Sequence, residues 1–153
     1  MRYFSKISFT KEGFENLKKD YQKLLDARPE AVKNLKEARD MGDLSENSLY
    51  RGCRARLSSI DSNLRRLNGL IKLADVVEKA PAGIVGIGSK VRVNDGSKEE
   101  TFHIVGRFEA DPKNHKISVI SPVGQALICK RVGDSVTVNT PKGKITYKVI
   151  ELK

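Results

Sequence analysis

Two acidic residues three positions apart, Asp43 and Glu46, are the strongest candidates for chemistry in this chain of 153 residues. At the start of a helix, side chains with this spacing face in the same direction. Carboxylate oxygens are the ligands that Mg²⁺ prefers, and a loosely held Mg²⁺ that keeps its waters can promote the hydrolysis of a phosphodiester. Two carboxylates do not form a stable Mg²⁺ site by themselves. The pair therefore indicates a donor of metal ligands to another site, not a self-sufficient enzyme.

The same spacing also fits a purely structural role. Asp43 is a good N-cap residue, and Glu46 three positions later completes a capping box. Spacing alone favours capping over catalysis. The two roles are also compatible, because a cap can present both acids until a metal ion arrives. The choice between them depends on where the pair lies in the fold.

Two heptad patterns flank the acidic stretch 40–48. Apolar or tolerated residues recur at alternating steps of three and four, which predicts helices that supercoil together. They are Phe14, Leu17, Tyr21, Leu24, Arg28, Ala31, Leu35 and Ala38 before the stretch, and Tyr50, Cys53, Leu57, Ile60, Leu64, Leu67, Ile71 and Ala74 after it. Because only about eight residues separate the patterns, the helices must fold back antiparallel. Each covers about 25 residues, so the hairpin extends on the order of 35 Å, with the acidic stretch at its tip.

The period of the pattern changes after the first half of the chain. The helical pattern stops near Glu78, and residues 81–83 mark a boundary. Beyond it, short segments alternate between apolar and polar residues, which is typical of strands. They lie at 90–93, 101–105, 117–120, 135–138 and 145–150, with a short helix expected at 125–128. The sequence predicts an α+β protein with an antiparallel coiled-coil hairpin at 1–78, a linker at 79–82 and a small antiparallel β domain at 83–153.

The chain has a net charge of +10, which favours a polyanionic partner or an acidic protein surface. In the second helix, residues 48–72 contain six cations and the single acid Asp61. Arg51, Arg54 and Arg65 flank the apolar seam, so we expect them to point outward. A solvated basic face is the plainer interpretation. The weak compensation by acids instead favours contact with RNA phosphates or an acidic protein surface.

Other features of the sequence favour a cytoplasmic protein without a membrane partner. Cys53 and Cys129 have no metal-ligand spacing and indicate reduced thiols. The first residues lack the apolar core of a signal peptide, and no stretch approaches transmembrane length.

The tip sequence GDLSEN at 42–47, followed by Tyr50, resembles the tip signature of the bacterial Gre transcript-cleavage factors, GreA and GreB. Similar segments lie at 9–14, 104–106, 109–111, 117–122, 132–134 and 139–143, so the likeness spans both domains. The resemblance implies an FKBP-like β domain and bacterial RNA polymerase as the partner. It also implies that the coiled coil enters the polymerase secondary channel. There, Asp43 and Glu46 would help hold a second catalytic Mg²⁺ while the polymerase hydrolyses backtracked RNA in its own active site.

On this resemblance the protein is an accessory factor, not an enzyme. We expect a monomer that acts on the 3′ segment of backtracked RNA and binds Mg²⁺ only together with the polymerase. The position of Asp43 and Glu46 inside a Gre-like tip shifts the preference from capping to metal donation. Loops of the β domain are suited to grip a protein surface outside the channel. The predicted docking residues are Glu109, Ala110, Asp111, Ser121 and Pro122.

The strongly basic coiled coil is more similar to GreB than to GreA, which suggests a capacity for longer backtracked RNA. Two positions depart from the family pattern. Leu49 stands where an acidic residue is common, and Cys129 stands where a small residue, often glycine, is found. Two alternatives therefore stay open: a Gre-like protein that occupies the channel and inhibits or modulates transcription without promoting cleavage, and a basic coiled-coil protein that binds nucleic acid directly.

Overall fold

The structure is a computed structural model that describes residues 6–41, 48–78, 80–140 and 143–153. The chain divides by its internal packing into two units. Glu15–Leu73 is the hairpin unit, and Met1–Phe14 together with Ala74–Lys153 is the β unit. The predicted metal donors Asp43 and Glu46 lie outside the described residues.

Two long helices, α1 (Lys11–Asp40) and α2 (Ser48–Leu73), make up the first half of the fold. The side-chain oxygen of Thr10 accepts a hydrogen bond from the backbone N–H of Gly13 at 2.9 Å, the bond by which an N-cap satisfies the first turn of a helix. α1 then continues through Pro29 to its end, because the apolar rhythm resumes in phase after the proline. Within the described residues, no helix combines the length and the apolar character needed to cross a membrane.

The seam of the hairpin unit contains the heptad residues predicted from the sequence. Ala31, Ile60 and Leu64 are buried together, and three partly buried side chains pack around them: Tyr21, Leu24 and Leu57. One polar pair also links the helices, because Arg28 Nε lies 2.7 Å from Asp61 Oδ1. These contacts join the later part of α1 to the middle of α2, as expected for helices that fold back on each other.

The end of α2 differs from the sequence-based expectation. The helix stops at Leu73, and Ala74–Val76 forms a short strand, β2, that pairs in parallel with β1 (Ile7–Phe9). The helical pattern had been expected to run to about Glu78. The pairing of β2 with β1, more than sixty residues away in the sequence, outweighs the helical pattern of apolar residues at 74–78. Residues 7–14 therefore pack with the β unit, whereas the sequence grouped them with the hairpin.

A five-stranded sheet forms the centre of the β unit. Its strands are β3 (Lys90–Asn94), β4 (Glu99–Val105), β5 (Lys116–Ser118), β6 (Ser135–Thr140) and β7 (Gly143–Leu152), in the spatial order β5-β4-β3-β7-β6. β5 runs parallel to β4, so the predicted purely antiparallel sheet is wrong at this pair. A tight hairpin would make β5 antiparallel to β4. The longer loop between them instead returns the chain to the starting end of β4, so that β5 runs in the same direction.

One face of the sheet forms the core of the β unit. Alternate residues of β3, β4, β6 and β7 are buried: Val91, Val93, Phe102, Ile104, Val136, Val138, Tyr147 and Val149. The ring of Phe102 meets that of Tyr147 edge-on at 5.8 Å. A short helix, α3 (Pro122–Leu127), adds Leu127 to this core and begins three residues before the predicted 125–128. With two long helices followed by a sheet, the predicted α+β fold class is confirmed.

Candidate functional site

The acidic pair belongs to the segment that connects the two long helices. α1 ends at Asp40 and α2 begins at Ser48, which leaves seven residues between them. This segment is short enough to force the chain to turn back at the end of the hairpin. Because Asp43 and Glu46 lie outside the described residues, their role as metal donors remains a prediction from the sequence.

All six cations of α2 are exposed to solvent: Arg51, Arg54, Arg56, Arg65, Arg66 and Lys72. The only acid of this helix, Asp61, accepts hydrogen bonds from Arg28 of α1. This hydrogen bonding, with a weaker electrostatic effect of Arg65, lowers the pKa of the Asp61 carboxyl. In the described part of the chain, none of the six cations forms an ion pair. The positive charge of α2 is therefore available to a partner.

Four of these cations share one stripe of the helix. Arg54, Arg65 and Lys72 are separated by 11 and 7 residues, which are close to whole numbers of helical turns. Arg51 lies one turn before Arg54. The stripe extends about 27 Å from Arg54 to Lys72 at 1.5 Å per residue. Lys72 is not among the three arginines predicted from the sequence, although its spacing of seven residues from Arg65 places it on the same stripe.

The predicted docking loops come together in the β unit around an apolar hollow. A cavity of about 450 Å³ lies between the β4–β5 loop and the segment that leads into α3. Ala110, Pro112 and Ser121 line it from the loops, and Phe102, Ile117 and Val123 are among its apolar walls. Ala110 and Pro122 are exposed. The two predicted loops are thus neighbours in space, although they are separate in the sequence.

Two of the polar docking candidates shape the loops on which they lie. Ser121 caps α3, because its hydroxyl accepts a hydrogen bond from Gly124 N–H at 3.0 Å and donates one to Ser118 O at 2.7 Å. Asp111 accepts from the backbone N–H of Lys113 at 3.2 Å and from the side-chain amide of Asn114 at 2.6 Å. These bonds fix the two loops, and Ala110 and Pro122 beside them are exposed to solvent.

Glu109 makes a different set of contacts. Its Oε2 accepts hydrogen bonds from Thr10 N–H at 2.9 Å and from Gly106 N–H at 3.1 Å, and its Oε1 accepts one from the Thr10 hydroxyl. Both carboxylate oxygens are therefore engaged inside the β unit. Sequence reasoning placed Glu109 among the docking residues, and nothing in its local sequence indicates that its partner is a residue 99 positions away.

The two departures from the family pattern are both described. Leu49 is half exposed at the start of α2. Cys129 is exposed and has φ +63°, in the left-handed region where a Cβ atom is strained and glycine is favoured. The backbone at this position therefore suits glycine better than cysteine.

Comparison with known proteins extends over both halves of the chain. The family model described as "Transcription elongation factor, N-terminal" matches residues 7–76, and the one described as "Transcription elongation factor, GreA/GreB, C-term" matches residues 80–153. The protein named transcription elongation factor GreA from Thermodesulfovibrio yellowstonii is 42% identical over 152 residues, which cover 96% of each chain. The chain belongs to the GreA/GreB family of transcription elongation factors.

Other relatives of this Gre family member agree with the assignment. Proteins named transcription elongation factor GreA from Rhodospirillum rubrum and Nitratiruptor sp. are 41% and 37% identical. The matches cover 94% and 96% of this chain, and 95% and 93% of the relatives. The crystal structure of GreA factor homolog 1 (Gfh1) of Thermus thermophilus aligns with 97% of this chain and 99% of its own, at 28% identity and a TM-score of 0.46. The two family models and the GreA relatives confirm, at the level of the family, the resemblance drawn from the tip motif.

Proposed function

We propose that this Gre family member binds bacterial RNA polymerase, inserts its hairpin into the secondary channel and stimulates the polymerase's own cleavage of backtracked RNA. The observation that carries the proposal is the family match over both domains, combined with an acidic pair in the segment that joins α1 to α2. A pair of ligands borrowed on the end of a long hairpin is useful only if the reaction site lies at the bottom of a narrow passage.

The donor set at the tip fits Mg²⁺. Asp43 and Glu46 supply carboxylate oxygens, the hard ligands that Mg²⁺ prefers. When bound, the ion would neutralise charge on the phosphodiester undergoing hydrolysis and lower the pKa of an attacking water. The protein's own task is to carry the two carboxylates to the site and hold them in one orientation. Because two carboxylates do not complete a Mg²⁺ site, the remaining ligands must come from the polymerase and its RNA.

The β unit supplies the docking surface in this proposal. The apolar cavity, with exposed Ala110 and Pro112 in its lining, is suited to receive an apolar side chain of the polymerase. The basic stripe of α2 supplies the second contact, to the RNA phosphates or to acidic walls of the channel. The positive charge of the stripe is the observation that suggests a capacity for longer backtracked RNA.

The decisive experiment is RNA cleavage by a stalled, backtracked polymerase complex with and without the protein. We expect 3′ fragments to be released faster in its presence. Polymerase binding without faster cleavage would instead support a channel occupant that inhibits or modulates transcription. Salt-sensitive binding to free RNA, with no binding to polymerase, would support a nucleic-acid-binding protein.

Removal of charge from the basic stripe is expected to affect long RNA selectively. The triple variant Arg51→Ala, Arg54→Ala, Arg65→Ala should change the free energy of unfolding by no more than about 0.5 kcal/mol per site, because all three side chains are exposed. Cleavage should fall most on long backtracked RNA and at raised salt. A matched α1 triple, Lys19→Ala, Lys36→Ala, Arg39→Ala, removes the same charge and should spare this length dependence. Equal activity of both triple variants on all RNA lengths would show that the stripe is only a solvent-exposed face without a role in cleavage.

A charge at the rim of the cavity is expected to weaken docking. Ala110→Glu places a carboxylate beside apolar walls, so the polymerase dissociation constant should rise about tenfold or more. Cleavage should recover at high protein concentration, because the tip is unchanged. Ala82→Glu, at another exposed alanine of the β unit, is the matched control and should bind normally. Competition against labelled wild-type protein measures both, and an unchanged constant for Ala110→Glu would remove the cavity from the docking surface.

A further inference from the structure

The carboxylate of Glu109 joins the β4–β5 loop to the start of α1. It accepts from the backbone N–H and the hydroxyl of Thr10, and from the N–H of Gly106. Thr10 is only 8% exposed and is the residue that caps α1. A carboxylate at this position also lies beside the positive end of the helix dipole. Glu109 thus completes the cap of a helix whose N-cap residue, Thr10, lies 99 positions earlier in the chain.

The backbone around this carboxylate leaves no room for another side chain. A Cβ atom on Gly13 would lie 1.7 Å from Glu109 Oε1. A Cβ atom on Gly106 would lie 2.1 Å from the carbonyl oxygen of Ser8 and 2.7 Å from Glu109 Oε2. Two glycines on different segments therefore allow β1, the first turn of α1 and the β4–β5 loop to converge on one side chain.

Aromatic packing adds to the same junction. The ring of Phe9 in β1 stacks on that of Phe108 with 6.4 Å between the ring centroids. The ring of Phe14 in α1 also contacts Phe9, with 6.5 Å between the centroids. Phe9 is fully buried, and Phe108 immediately precedes Glu109. The first turn of α1 is therefore held against β1 and the β4–β5 loop by a charged hydrogen-bond cluster and by aromatic contacts.

The direction of the first turn matters because α1 is a long continuous helix. Its 30 residues span about 45 Å at 1.5 Å per residue. By simple geometry, a tilt of about 10° at the start then displaces the far end by roughly 8 Å. Misplacing a reacting group by only about 1 Å can lower a rate a hundredfold. Small angular freedom at Thr10 is thus amplified at the end of the hairpin that carries the acidic pair.

We propose that Glu109 is a positioning residue for cleavage stimulation, which acts through Thr10 and α1 and not through direct contact with the polymerase. This inference rests on the proposed function. It replaces the docking role that the sequence suggested for Glu109 with an internal one. Loss of the carboxylate leaves the apolar docking cavity intact and loosens the start of α1, so docking and cleavage respond differently.

The test compares affinity with cleavage at saturating protein. Glu109→Ala should bind polymerase within about twofold of wild type yet stimulate cleavage about tenfold less, because only delivery of the tip is impaired. Glu109→Gln should recover part of the activity, since its amide oxygen can still accept from Thr10 N–H and Gly106 N–H. Asp134→Ala is the matched control: this loop carboxylate accepts from Arg131 N–H at 2.8 Å elsewhere in the β unit, and both readouts should stay normal. If Glu109→Ala does not fold, Glu109→Gln is measured alone and must show a smaller defect of the same kind.

A second readout needs no polymerase. Spin labels are placed at Lys36→Cys in α1 and Lys144→Cys in β7, after Cys53→Ala and Cys129→Gly remove the native thiols. The distribution of distances between the labels should be broader in Glu109→Ala than in the parent protein. An unchanged distribution overturns the positioning role, as does a variant that loses affinity but keeps full cleavage at saturation. If the wild type does not stimulate cleavage at all, the proposed function fails, and the label distances alone decide the role of Glu109.

Discussion

Exchanging Asp43 for Asn and Glu46 for Gln is expected to lower stimulated RNA cleavage by about a hundredfold or more while polymerase binding persists. Both changes preserve the capping function, because Asn caps as well as Asp and Gln serves in a capping box as well as Glu. Each removes one anionic oxygen from the ligands of a hard cation. The substitutions therefore separate a structural role of the pair from a metal-donating one.

The measurement is single-turnover cleavage in a backtracked complex over a range of Mg²⁺ concentrations. Raising Mg²⁺ should partly restore the double variant if its defect is reduced metal affinity. The inactive variant should also compete with wild-type protein for polymerase, because the proposed docking surface lies in the β unit and is unchanged. Normal stimulation by Asp43→Asn and Glu46→Gln at limiting Mg²⁺ would show that the acids serve only as caps and would refute metal donation.

Gly106→Ala is expected to lower the free energy of unfolding of the β unit by about 3 kcal/mol. Gly106 is buried, and its new Cβ atom would lie 2.1 Å from the backbone oxygen of Ser8. This steric clash can be relieved only if β1 moves, because the Cβ atom meets the backbone of Ser8 and not a flexible side chain. Such a movement breaks the pairing of β1 with β2 and withdraws the N–H of Gly106 from Glu109.

Urea-induced unfolding measures this loss, and a second glycine provides the control. Gly69 lies inside α2, and a Cβ atom there would meet no atom within 4 Å beyond its chain neighbours and the backbone of its own helix, so Gly69→Ala should stabilise the hairpin unit by up to about 1 kcal/mol. The same chemical change is thus expected to have opposite signs at the two sites. A shift of less than about 0.5 kcal/mol for Gly106→Ala would mean that β1 yields at little cost.

The elements that local patterns define were predictable. The alternating three- and four-residue steps identified both long helices and most of the buried seam, including Ala31, Ile60 and Leu64. Alternation located the strands that contribute Phe102 and Val149 to the core. Each of these signals depends on neighbours within about one turn or one strand, which is the range over which a sequence pattern reports the environment of a side chain.

Contacts between distant segments were not predictable in this way. The early end of α2 at Leu73, the parallel direction of β5 and the attachment of residues 7–14 to the β unit all depend on strand pairs remote in the sequence. Parallel pairing leaves no local turn signal, because the connection carries the chain back along the sheet before the second strand begins.

The sequence by itself determined the family, the helical hairpin, the placement of two carboxylates in its connecting segment and the basic character of α2. These follow from residue types and spacings that neighbouring residues share. Only the tertiary structure decided that Asp61 pairs with Arg28, that the docking loops meet around one apolar cavity, and that Glu109 holds Thr10. The local sequence around a loop carboxylate is the same whether the carboxylate contacts a partner protein or a distant N–H group of its own chain. Only folding brings the N–H group of Thr10, 99 residues away, within 2.9 Å of Glu109.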